Sequence, residues 1–111
     1  MRRVECPGEY KVGNKTIKLD EECFLEDPDL WDKDVAVWIA ENIEGLVLTE
    51  AHWRVVNYLR AYWEEHGECP HIRRLLTDLG VTLEELYLLF PSGPADGACK
   101  IAGTARPGGC V

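Results

Sequence analysis

The chain is 111 residues long, 46% hydrophobic, with a formal charge of −8. That length suits one domain with a modest core of its own. The last twenty-one residues hold one acid, Asp96, and two bases, Lys100 and Arg106, so the rest carries −9 from ten bases and nineteen acids. Such a surface repels phosphate and argues against generic nucleic-acid or anionic-membrane binding. The first ten residues, MRRVECPGEY, lack an apolar run behind their arginines, and no stretch approaches the roughly 20 apolar residues of a membrane span. The expected setting is a reducing cytoplasm, where the five cysteines would be reactive, metal-bound or inert.

In chain order, Tyr10–Val12 and Thr16–Leu19 flank Gly13-Asn14, a two-residue turn that predicts an N-terminal hairpin. Asp27-Pro28 supplies an N-cap and a first-turn proline for a helix through Trp31, Val35, Trp38, Ile39 and Asn42, stopped by Gly45. Thr49 caps the longest predicted helix, with His52, Val55, Val56, Leu59, Tyr62 and Trp63 on one face and Gly67 at its end. Pro70 opens a third helix that Gly80 stops. Thr82 and Glu85 form a capping box for a fourth, ended by Pro91. The four tryptophans, all between residues 31 and 63, place the expected core there. The predicted fold is mainly α: a small orthogonal helical bundle with an N-terminal β-hairpin, a helix-turn-helix-like pair and a flexible C-terminal arm. Residues 1–90 form the expected domain. Residues 91–111, with half of all the glycines and little apolar surface, form a mobile arm that cannot nucleate a core of its own.

The chemistry is expected in that arm. Cys110 is second from the end of the sequence, where a thiol has the reach to enter another protein, and Cys99 lies eleven positions before it. Extended, their α-carbons would stand about 36 Å apart at roughly 3.3 Å per residue. A disulfide needs them within about 7 Å. The arm can therefore switch between open dithiol and closed loop, one thiolate attacking a sulfur-bearing partner and the other resolving the product. Lys100 and Arg106 would favour the thiolate.

Other constellations weigh less. His66, Cys69 and His71, with Cys6 and Cys23, lack the paired spacing of zinc ligands, so no metal is expected. Gly80–Thr82 is a fitting helix-turn-helix turn, but the second helix opens Leu83-Glu84-Glu85, which would set negative charge against phosphate. Arg73 and Arg74, with Arg54 and Arg60, could gather into an anion-binding patch, although such arginines more often pair with acids. Nothing in the sequence marks a nucleophile–base pair or a phosphate loop, so a carrier is expected rather than an independent enzyme.

Asp20-Glu-Glu-Cys-Phe-Leu, Leu48-Thr-Glu-Ala-His-Trp, Cys69-Pro-His-Ile-Arg-Arg, Leu89-Phe-Pro-Ser-Gly-Pro and the terminal Cys99–Val111 segment carry a resemblance to the DsrC/TusE sulfur-carrier family, which includes the gamma subunit of dissimilatory sulfite reductase. The resemblance implies that Cys110 accepts sulfur from partly reduced sulfite and that Cys99 closes a trisulfide around it. It implies as partners the sulfite reductase alpha and beta subunits, whose siroheme and iron-sulfur cluster would do the reduction. A membrane-bound heterodisulfide-reductase-like complex would release sulfide. This chain would bind no cofactor itself and would be monomeric when free. Two arm cysteines favour the sulfite-reductase branch over the branch relaying persulfide toward tRNA 2-thiouridine. Cys6, Cys23 and Cys69 are expected to be structural.

Overall fold

The computed structural model describes residues 4–104, without the side chains of residues 94–96. Strands β1 (Gly8–Val12) and β2 (Lys15–Leu19) pair antiparallel, with Tyr10 opposite Ile17. Gly13 turns the chain with φ of 62°, which a residue bearing a Cβ adopts only with strain. Alternation buries Val12, Ile17 and Leu19 and leaves Lys11, Thr16 and Lys18 in solvent. The hairpin lies on the first helix, with the Tyr10 and Trp38 ring centroids 5.3 Å apart.

After β2, the Asp20 carboxylate accepts hydrogen bonds from the backbone N–H groups of Glu22 (2.9 Å) and Phe24 (3.0 Å). This tight turn presents Cys23 to Cys6, and the two form a disulfide with α-carbons 5.4 Å apart. The pair is oxidised, which the expectation of a reducing setting did not include.

Asp27-Pro28 starts only a 3₁₀ turn, Pro28–Leu30. The α-helical path restarts at Asp32, whose Oδ1 accepts from Val35 N–H (2.9 Å) to cap α1 (Lys33–Ile39). Lys15 fixes the break: its Nζ donates to Leu30 O (3.0 Å) and to Asp32 Oδ2 (2.6 Å). A π-helical turn, Ala40–Glu44, continues α1 to Gly45, whose φ of 69° stops it.

The remaining helices are α2 (Glu50–His66), α3 (Ile72–Leu79) and α4 (Leu83–Leu89). Thr49 caps α2 as expected, with His52 as its reciprocal partner. The imidazole Nδ1 accepts from Thr49 N–H (3.1 Å), which leaves Nε2 to donate to Leu89 O (2.8 Å) and tie α2 to the end of α4. The Thr82–Glu85 capping box forms on α4. The exposed side of that helix carries Leu83, Glu84, Glu85, Tyr87 and Leu88, an acidic and apolar set unsuited to phosphate.

Two expectations are corrected. The core is not centred on the tryptophans: Trp31, Trp38 and Trp53 pack at its margin, while Ile17, Phe24, Ile39, Leu59, Leu86, Phe90 and Ile101 are fully buried. The arm also does not leave the body at residue 91. A π-helical segment, Pro94–Cys99, leads into a strap in which Ala98, Cys99, Ile101, Ala102 and Thr104 are at most 1% exposed. The strap needs no core of its own because it completes the bundle's. Its small residues allow that approach. A Cβ on Gly97 would stand 3.0 Å from Phe90 Cβ, and one on Gly103 only 2.2 Å from Trp31 Cδ1.

Candidate functional site

The site is the strap and what holds it. Arg60, buried on the inner face of α2, spends its guanidinium on the strap. Nη1 donates to Gly103 O (3.1 Å) and Ala102 O (3.4 Å), Nη2 to Pro28 O (2.7 Å), and Nε to Glu64 Oε2 (3.0 Å). The Trp31 ring lies 4.9 Å from the guanidinium carbon, and its Nε1–H donates to Ile101 O (2.9 Å). These two side chains satisfy three successive strap carbonyls, as backbone groups in a buried segment require. The Thr104 hydroxyl and amide both donate to Cys99 O (3.3 and 3.4 Å), closing the turn.

Cys99 sits where the π-helical segment gives way to that turn, 1% exposed. Its Sγ lies 3.4 Å from the Sγ of Cys69, which precedes Pro70 in the loop between α2 and α3. Thr104 Oγ1 stands 3.7 Å from Cys69 Sγ. Cys69, expected to be structural, lies beside the one arm cysteine among the described residues, a juxtaposition across 30 positions that no local spacing reveals.

Lys100 is also buried, but its Nζ pairs with Glu44 Oε2 (3.4 Å) and lies 5.5 Å from the Phe24 ring centre, so its charge has a carboxylate partner. Arg73 and Arg74 stand on α3 along a shallow surface groove with His71, Thr77 and Asp78. Arg74 Nε pairs with Asp78 Oδ2 (3.2 Å), which also accepts from Tyr58 OH (2.6 Å). Burial and then the Asp78 carboxylate push the Tyr58 phenol up to about 12. The hydrogen bonds from Tyr58 and then Arg74 hold the Asp78 carboxyl below the usual range. Arg54 donates to Leu79 O (2.8 Å) at the end of α3. Arg54, Arg60 and Arg74 thus each bond a different partner, and only Arg73 and Arg74 share a groove. Cys110 and Arg106 lie outside the described residues.

Of the weighed metal ligands, Cys6 and Cys23 are consumed by their disulfide. His66 pairs with Glu65 (2.9 Å) against the Tyr62 ring. Among the described residues no three His, Cys, Asp or Glu side chains are grouped to hold a metal ion. No described helix is long and apolar enough to cross a membrane.

The site thus sets a buried cysteine beside a second cysteine, on a strap clamped by arginine and tryptophan. Comparison with known proteins gives the family. The family described as DsrC like protein matches residues 11–111, and the chain belongs to it. The dissimilatory-type sulfite reductase subunit gamma of Nitratidesulfovibrio vulgaris is 38% identical over 105 residues, 94% of this chain and 99% of the relative. The sulfurtransferase TusE of Escherichia coli K12 is 39% identical over 104 residues, 87% and 94% of the two chains. The solution structure of the DsrC/gamma subunit of dissimilatory sulfite reductase from Pyrobaculum aerophilum superimposes with a TM-score of 0.84 at 53% identity, covering 97% of this chain and 98% of that one.

Proposed function

We propose that this protein is a sulfur carrier and co-substrate of a dissimilatory sulfite reductase, holding sulfite-derived sulfur between Cys99 and Cys110 as a trisulfide. The observation that carries this reading is Cys99 fixed on a clamped strap, eleven residues before a second cysteine, in a chain closely related to a sulfite reductase gamma subunit. The work of the chain is positional. Arg60 and Trp31 hold the strap backbone, so Cys99 waits at a defined place while Cys110 goes to the partner for sulfur. The partner's siroheme and iron-sulfur cluster would supply the reducing electrons.

One sulfite, two thiols and two electrons give one trisulfide, and with protons the three sulfite oxygens leave as water. Four further electrons release the middle sulfur as sulfide and restore both thiols. A membrane-bound heterodisulfide-reductase-like complex is the proposed source of those four. The carrier works in the cytoplasm and is monomeric between encounters. Arg106, near Cys110 in sequence, would favour its thiolate.

The test is intact-protein mass spectrometry after turnover with sulfite reductase and limiting sulfite. The expected product has gained one sulfur and lost two hydrogens, with Cys99 and Cys110 peptides joined. Cys110→Ala gains nothing. An unchanged wild-type mass overturns the reading. The similarity to TusE favours a second reading, a persulfide relay toward tRNA 2-thiouridine that uses Cys110 alone. Undiminished sulfur turnover with sulfite reductase in Cys99→Ala would select it.

A further inference from the structure

Cys69 has no part in the scheme above, yet its sulfur lies 3.4 Å from that of Cys99. A disulfide bond is about 2.05 Å, so the two atoms need to close roughly 1.4 Å to bond. The surroundings say which side moves. Cys99 belongs to a strap held by Arg60 and Trp31 and is buried at 1% exposure. Cys69 belongs to a short loop between Gly67 and Ile72 and is partly exposed. Thr104 Oγ1, 3.7 Å from Cys69 Sγ, can accept from the Cys69 thiol, its own O–H being donated to Cys99 O.

We propose that Cys69 is a third thiol of the carrier, exchanging with Cys99 to turn a closed trisulfide into a deliverable persulfide. The step rests on the carrier reading above. The Cys69 thiolate attacks the Sγ of Cys99. The Cys69–Cys99 disulfide forms and the bond from Cys99 to the carried sulfur breaks. The electron pair leaves on the carried sulfur, which becomes the terminal atom of a persulfide on Cys110. The proton that Cys69 loses goes to water. Nothing external is oxidised or reduced, because this is thiol–disulfide exchange, and the acidic persulfide is a good leaving group. A dithiol reductant then opens the Cys69–Cys99 disulfide for the next cycle. The exchange gives the carrier two delivery modes: a trisulfide opened from outside by electrons, and a persulfide offered to a nucleophilic acceptor.

Two experiments on the full chain separate this inference from the reading beneath it. Cys110→Ser is incubated with glutathione disulfide and mapped by peptide mass spectrometry. The expected product is a Cys69–Cys99 cross-link with two glutathiones released. A glutathione adduct on Cys99 without that cross-link overturns the proposal. Next, wild type, Cys69→Ser and Cys69→Ala are loaded with one extra sulfur and alkylated with iodoacetamide. Wild type should yield alkylated Cys110 persulfide, and both variants should keep an unreactive closed trisulfide. Equal persulfide yield from the variants also overturns it. Wild type that takes up no sulfur would refute the carrier reading, while the first experiment still decides whether Cys69 and Cys99 pair.

Discussion

Gly103 shows how one missing side chain permits a site. It combines φ of 68° with a ring edge where a Cβ would be, so alanine there meets both backbone strain and a 2.2 Å clash with Trp31. Left-handed backbone costs roughly 1–2 kcal/mol for a residue with a Cβ. Overpacking adds about 1–3 kcal/mol. Gly103→Ala should therefore lower unfolding free energy by about 2–5 kcal/mol in urea titration, or release the strap and raise amide exchange at Ala102. Wild-type stability together with wild-type exchange would show that the Trp31 contact is looser than described. Arg60 illustrates the opposite case, a residue whose value lies in its donors. Lysine could not reach three carbonyls and a carboxylate from one planar group.

Among the elements, the join between the 3₁₀ turn and α1 makes a test by pH. The hydrogen bond from Lys15, followed by the capping N–H of Val35, holds the Asp32 carboxyl below its ordinary value. A carboxyl lowered on folding stabilises fully above its unfolded value, and that contribution is lost as pH falls through the folded one. Asn at position 32 keeps a capping oxygen but not the charge. The stability advantage of wild type over Asp32→Asn should thus be largest near neutrality and shrink between about pH 5 and pH 2 in denaturant titrations. A pH-independent difference would assign Asp32 a capping role alone.

Thr49, Thr82, Gly45, Gly67 and Gly80 marked helix ends because capping is local chemistry. Asp27-Pro28 misled, because the stronger signal was a lysine in β2 that anchors a later aspartate. The strap was misread because its alanines and glycines looked too small to form a core. Their smallness is what lets them finish one built from distant residues. Cys99 was legible as a reactive candidate. Its neighbour Cys69 was not, since a contact between a loop and a strap leaves no periodic trace.

At the scale of the whole molecule, the Cys6–Cys23 disulfide closes a loop containing β1 and β2. Cross-linking residues seventeen apart should contribute about 3 kcal/mol by restricting the unfolded chain. Cys6→Ala/Cys23→Ala should lose stability of that order by urea titration and still place the strap, because Arg60 and Trp31 stand on other elements. Loss below about 1 kcal/mol would show that the hairpin is ordered as well in the unfolded ensemble without it.

The Trp31–Ile101 hydrogen bond has a practical consequence. Trp31 is one of four indoles in the chain, and its N–H is bonded directly to the strap beside Cys99. Its proton resonance is therefore a natural gauge of strap docking. Watched in real time, it could tell whether sulfur changes hands with the strap seated or lifted.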